Sequence, residues 1–237
     1  MFYNCKTFNQ PVNIPASAND CGLMFGECSN FDRTVNFARA NGVVSVYGMF
    51  SNAQNFNQPI KFPNSVQSMH QTFLNARNFN QPLDVPLKCE DMYGSLYNAV
   101  NFNSPVRFLG NKAKDLSSTF DNCFNFNQPV HIIGNEAKMP FTFENCYNFN
   151  QPVTISGTIN YLYYTFRNCD SFNSPVTISE GTTLENNYGP FEYVFEQSAM
   201  NRPVSIPNSI TRIGYLYAES NINCDISIPE GITLRSL

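Results

Sequence analysis

The residues able to do chemistry in this chain fall into columns rather than clusters. Of eight cysteines, Cys5, Cys28, Cys123, Cys146 and Cys169 each stand three residues ahead of a recurring anchor phenylalanine. Ala53, Ala76 and Ala99 fill the same place in other copies. A position that alternates between Cys and Ala asks for something small and buried, and a free thiol there behaves as a small hydrophobe. Buried free thiols are therefore expected. Disulfides between stacked units are the alternative, disfavoured because parallel Cβ vectors suit bridging poorly. A metal site is not expected, since no C-x-x-C occurs and His70 and His131 lie far apart in different columns.

Carboxylates are scattered. Asp121 and Glu144 share a column, and two carboxyl groups from neighbouring units are what glycoside hydrolysis requires. A solvated pair on a convex surface is the expected reading. There is no phosphate-binding loop, nucleophile elbow or Cys–His pair. The chain is read as not an enzyme, with no catalytic residues and no cofactor. No N-x-[ST] acceptor occurs despite the many asparagines, so glycan modification is not expected.

A third column is charged. Consecutive copies place Lys61, Asp84, Arg107 and His131 between two apolar strand positions, flanked by Asn13 and Asn36 on one side and by Thr154, Thr177, Ser205 and Ser227 on the other. Such residues would point outward as a stripe of about 15 Å. One reading is a recognition patch, with Lys61, Asp84, Arg107 and His131 as candidate ligand-binding residues. The other, preferred, is solubilising decoration whose alternating signs pair across neighbouring rungs. His131 is expected to be an exposed neutral imidazole.

These columns exist because the chain repeats itself. NAQNFNQPIKF, NCFNFNQPVHI and NCYNFNQPVTI, starting at residues 52, 122 and 145, are three copies of one phrase. Anchors fall at Phe8, Phe31, Phe56, Phe79, Phe102, Phe126, Phe149 and Phe172, with weaker copies at Met200 and Ile222. The spacing is almost always 23 to 25 residues, with one interval of 28 before Met200, where ENNYGPFEY should form a local loop. A fixed period of this length marks a solenoid. The expected fold is a β-rich solenoid: an LRR-like right-handed coil of about ten 23-residue repeats with a parallel sheet, forming one domain over residues 1–237.

Within each copy the pattern is physical. Apolar residues four and six places after the anchor (Val12/Ile14, Ile60/Phe62, Leu83/Val85, Val130/Ile132, Val153/Ile155, Val176/Ile178, and near the end Val204/Ile206 and Ile226/Ile228) alternate with polar ones, which predicts a short half-buried strand. A proline usually precedes it, as at Pro59 or Pro82, where a strand can begin without losing a ladder donor. Six residues before most anchors stands another apolar column (Phe25, Phe50, Phe73, Leu96, Phe120, Phe143, Phe166). Four residues earlier runs a third (Cys21, Val46, Met69, Met92, Leu116, Met139, Leu162). Burying one Phe contributes roughly 1.5–3 kcal/mol, so the Phe ladders could hold the stack. Asparagines follow the anchors (Asn57, Asn80, Asn103) and precede them by four (Asn52, Asn75, Asn98). They are expected at corners, where an amide side chain can replace lost backbone partners and the residue tolerates turn geometry.

With those columns in place, MFGECSNFD, GMFSNAQNFNQPI, SVQSMHQTFLNARNFNQPL and SIPNSITRIGYLYAES resemble the BspA-like leucine-rich-repeat family in its mycoplasma-type surface-lipoprotein form. The recurring FNQP is also similar to the FNIP repeats of amoebae and giant viruses. The resemblance implies a parallel-sheet solenoid and surface adhesion or protein interaction, with no catalytic residues.

Composition narrows the partners. Only 14% of residues are charged, the formal net charge is -4, and there are 22 Phe and no Trp. No basic run occurs, which argues against nucleic acid or an anionic membrane surface. No apolar stretch approaches the roughly 20 residues that span a bilayer, and MFYNCKTFNQPV lacks the marks of a signal peptide. Both ends read as uncapped coils. The expected function is a non-enzymatic interaction or adhesion module that presents its sheet face to a protein or glycan, in a surface-exposed setting, extracellular or virion. The alternative is a structural subunit of a virion or other large assembly, such as a phage fibre or decoration protein, joined to other copies or subunits through those ends.

Overall fold

The computed structural model describes residues 1–179, 183–184, 191–206, 208, 212–225, 228 and 230–235. Among the described residues there is no helix. The strands are short: β1 (Val12–Asn13), β2 (Val35–Asn36), β3 (Leu83–Val85), β4 (Val106–Phe108), β5 (Val130–Lys138), β6 (Val153–Tyr161), β7 (Val176–Ile178), β8 (Thr183–Leu184), β9 (Arg212–Gly214) and β10 (Thr233–Arg235). Every pairing is parallel and one coil apart: β1 with β2, β3 with β4, β5 with β6, β6 with β7 and β8, and β9 with β10. The registers join like positions of successive copies, Val130 to Val153 to Val176 for example. The chain is a β-solenoid.

The strand face is not one continuous sheet. It is built of separate short sheets, and Ile60–Phe62, placed by its alternation as a strand, pairs with neither neighbour. A second parallel ladder, which the apolar pattern did not disclose, runs through single bridges from Asp20 to Ser45, Ser68, Asp91, Asp115 and Lys138.

Between the two ladders the backbone solves its hydrogen bonding by alternation. The N–H groups of Leu23, Phe25 and Glu27 donate to the carbonyls of Tyr47, Met49 and Ser51 in the next coil. Those of Met24, Gly26 and Cys28 donate three residues back, to Cys21, Leu23 and Phe25. Such linked turns bring two residues per coil to positive φ. One column holds Leu23, Gly48, Gln71, Gly94, Ser118, Phe141, Tyr164, Tyr193 and Tyr215; the other holds Asn4, Glu27, Asn52, Asn75, Asn98, Asn122, Asn145, Asn168, Gln197 and Glu219. The left-handed region is costly for most L-residues and least so, after glycine, for Asn. This explains the second asparagine column.

Asparagine side chains then stitch the coils together. The Asn75 amide donates to Asn52 Oδ1 at 2.8 Å and accepts from Asn98 at 2.6 Å. At the other corner each side-chain oxygen takes a backbone N–H of the next coil: Asn57 to Asp32, Asn80 to Asn57, Asn103 to Asn80, Asn127 to Asn103, Asn150 to Asn127 and Asn173 to Asn150.

Inside the coil lie the expected apolar columns. The Phe25, Phe50, Phe73, Phe120, Phe143, Phe166 and Phe195 rings are wholly buried, as are the anchors from Phe31 to Phe172. Rings of the two columns stack in parallel, 4.0 Å apart for Phe50 and Phe56 and for Phe73 and Phe79. Cys123, Cys146 and Cys169 are buried free thiols, each donating Sγ–H to a carbonyl in the preceding coil. Desolvation holds all three thiols well above the ordinary thiol range. Cys5 departs from its column: it is exposed, in the first coil. A buried hydroxyl column, also unforeseen, comprises Thr72, Ser95, Thr119, Thr142 and Thr165. Thr72, Thr119, Thr142 and Thr165 each bond a carbonyl three residues back and another in the preceding coil.

The expected count of ten coils is too high for the regular stack. Anchor rings succeed one another from Phe8 to Phe172, eight rings and hence seven turns. The anchor-ring stack ends there because the next anchors are Met200 and Ile222. The asparagine ladder does continue, Asn201 N–H bonding Asn173 and Asn223 N–H bonding Asn201. The strand residues Ile226 and Ser227, and residues 185–190 of the proposed loop, lie outside the described residues.

Two substitutions separate the roles of the asparagine columns. Both Asn75→Ala and Asn75→Gly remove the amide bonds, but only glycine suits φ +56° freely. Alanine should destabilise by about 1 kcal/mol more than glycine in urea unfolding. Equal losses would mean the turn geometry contributes nothing at this corner.

Candidate functional site

On the strand face the structure brings only two of the four candidate residues together. Asp84 and Arg107 are register partners in β3 and β4. Arg107 Nε and Nη2 donate to the two Asp84 carboxylate oxygens at 2.7 and 3.0 Å. This bidentate pair lies at the surface, with Arg107 mostly exposed. The charges answer each other across the rung, which leaves neither free for a ligand of opposite sign. His131 is exposed and faces Thr154 in the next coil. Lys61 stands apart from both.

Lys61 is exposed on the unpaired segment Ile60–Phe62. The N–H groups of Ile60 and Phe62 make no bond to the next coil, and those of Val35 and Phe37 make none to the coil that carries Lys61. In register elsewhere the corresponding bonds form: Val12 N–H to Thr34 and Ile14 N–H to Asn36. The interval from Phe31 to Phe56 is 25 residues rather than 23, and the added length loops out near Ala38–Gly42. A hollow of about 540 Å³ results, lined by Thr34, Asn36, Asn41, Pro59, Lys61 and Phe62 among others. A smaller hollow of about 340 Å³ adjoins it across Asn36 and Ala38 and reaches Arg39 and Asn13. No carboxylate lines either one. The proline-led alternation of PIKFP gave no sign of this break.

A second concentration of charge sits at the opposite corner. The expectation of a solvated Asp121–Glu144 pair is wrong, because Asp121 is buried and the Glu144 side chain is only 14% exposed. Burial, then the neighbouring Glu144 carboxylate, push the Asp121 carboxyl up to about 7. Arg167 bridges onward, with Nη1 3.3 Å from Glu144 and Nε 2.8 Å from Glu196, and its guanidinium lies 4.7 Å over the Tyr164 ring. Desolvation raises Glu144 and Glu196 as well, opposed in each case by Arg167. Sequence spacing disclosed the shared column but not its burial.

On the second ladder His70 Nδ1 lies 3.3 Å from Asp91, and its ring stacks 4.8 Å from Tyr93. No periodic apolar signal could have found this contact. Among the described residues no group of three or more His, Cys, Asp or Glu could hold a metal ion, and no helix is long and apolar enough to cross a membrane.

The Asp121 environment has a measurable consequence. A carboxyl raised from an ordinary value near 4 to about 7 keeps its proton in the folded chain while the unfolded chain loses it. The folded state then binds more protons, so stability is full below about pH 4 and declines as pH rises towards 7. Asp121→Asn should flatten that decline and be the more stable form at pH 7, as read from thermal midpoints across pH 4–8. An unchanged pH profile would show that Asp121 is ionised in the fold.

Comparison with known proteins bears on the architecture alone. No curated protein and no solved structure matches the chain. One family, described as "Mycoplasma protein of unknown function, DUF285", matches in two overlapping copies, over residues 1–108 and 84–179. Overlapping matches are what a repeating unit of uniform coils produces. Covering most of the chain, they make it a member of the DUF285 family.

Proposed function

We propose that this chain is a non-enzymatic interaction or adhesion module that offers the outward side of its parallel strands to a protein or glycan. The observation that carries this reading is the division of labour between columns. The buried columns and the asparagine corners keep one residue type over most coils, while the strand-face column changes from Asn36 to Lys61, Asp84, Arg107, His131 and Thr154. Solenoids place their binding surfaces on such extended faces. The finer kinship, to BspA-like leucine-rich repeats with FNIP-like FNQP words, belongs with this proposal and favours a surface-exposed setting.

The test is retention of the purified chain on mammalian cells and on immobilised glycans, compared with a variant carrying Lys61→Gln, Asp84→Asn, Arg107→Gln and His131→Gln. All four lie on the surface, and the variant keeps the buried columns intact. Retention by the parent and a loss of at least tenfold in the variant is the expected result. Retention that survives the substitutions places the contact surface elsewhere, and no retention on any surface removes the adhesion reading.

A further inference from the structure

We propose that the break in the strand face between β2 and the segment Pro59–Pro63 is a binding site for an acidic saccharide of one or two rings, its carboxylate held by Lys61. This rests on the interaction-module reading and names the ligand class and the place.

Four observations converge there. The first is space: the two adjoining hollows, about 540 and 340 Å³, fall in the size range of small-ligand sites. The second is charge. Lys61 has no ion-pair partner among the described residues, because the next carboxylate along its column, Asp84, is engaged by Nε and Nη2 of Arg107. Arg39, at the far side of the second hollow, also forms no ion pair among the described residues. Two unpaired cations with no carboxylate in the lining select an anion.

The third is hydrogen-bonding character. Thr34, Asn36 and Asn41 contribute hydroxyl and amide groups to the main hollow, and such groups both donate and accept. Sugar hydroxyls also do both, so each can be matched from either side. Asn36 is oriented from behind: its Nδ2 donates to Asn13 Oδ1 at 3.1 Å and its Oδ1 accepts the Ala38 N–H at 2.9 Å. The Val35 and Phe37 N–H groups, which make no inter-coil bond here, are further donors at the same break. The fourth is the apolar share of the lining. Exposed Pro59 and half-buried Pro63 border the hollow beside the buried Phe37 and Phe62 rings, which meet edge to face at 5.6 Å. The proline rings give a pyranose C–H face something to rest on. A bare inorganic anion would use the cation and leave these groups idle. The remaining three candidate residues of the strand face do not enter this site.

The experiment is ligand-observed NMR and calorimetric titration of the full chain with four probes: the methyl glycoside of N-acetylneuraminic acid, methyl glucuronide, methyl glucoside and acetate. Each is repeated on Lys61→Gln/Arg39→Gln and on Lys112→Gln, which removes an exposed charge outside both hollows. Circular dichroism checks that the variants fold. The expected result is saturable binding of at least one acidic sugar, weakened tenfold or more by the double substitution and untouched by Lys112→Gln, with neutral glucoside and acetate at least tenfold weaker. The two acidic probes separate sialate from uronate as the source of the carboxylate. Equal binding of acetate would reduce the site to a simple anion contact and overturn the proposal. So would folded protein that binds neither acidic sugar, or binding indifferent to Lys61 and Arg39. If the chain is retained on cells while these titrations are blank, the module reading stands and this inference falls.

Discussion

Backbone amides in a coil without helices have to find partners either within a tight turn or one coil away, and this chain uses the two in strict alternation. Every second N–H between the ladders points along the solenoid axis to the next coil, and its neighbours fold back three residues. The scheme leaves few buried donors unpaired, which matters because an unsatisfied buried amide costs about 1–3 kcal/mol. It also forces two positive-φ residues into each coil. The asparagine columns, the stacked rings and the small Cys/Ala column all follow from keeping that alternation in phase. A coil that lost phase would move its phenylalanine out of the stack.

The side chains reinforce what the backbone begins. Buried hydroxyls at Thr72, Thr119, Thr142 and Thr165 take up carbonyl lone pairs in two coils at once. Thiols at Cys123, Cys146 and Cys169 each bond one carbonyl of the preceding coil. Aromatic rings in parallel stacks, 5.2 Å apart from coil to coil for Phe120, Phe143 and Phe166, fill the interior without polar groups that need partners. The thiols are desolvated and hydrogen-bonded, so their place is in the packing.

Much of this was legible because a solenoid writes its fold in a fixed period. The anchor phenylalanines, the inward strand residues such as Val130 and Ile132, and the corner asparagines each recur in step, and like positions were bound to stack. What was not legible depends on departures from the period. The ladder through Asp20, Ser45, Ser68 and Asp91 is polar and so leaves no apolar trace. Asp121 reads as a surface acid because a lone acid in a polar column carries no mark of its burial against Glu144. Residues 60–62 have a strand's alternation, but pairing depends on both neighbouring coils, and alternation within one coil says nothing of how its neighbours lie. The alternating signs at Asp84 and Arg107, by contrast, did announce their mutual bond.

The asparagine ladder at the anchor corner is indifferent to which coil stands above it: each side-chain oxygen receives the same backbone N–H from whatever copy comes next. The joint between coils is therefore a universal coupling. One coil could be gained or removed between Phe56 and Phe172 without changing the kind of contact at this corner. The chain's reach would change in steps of roughly 5 Å, and the spacing of exposed groups on the strand face would be reset by whole rungs. Length, in such a molecule, is a property that can be adjusted separately from stability per coil.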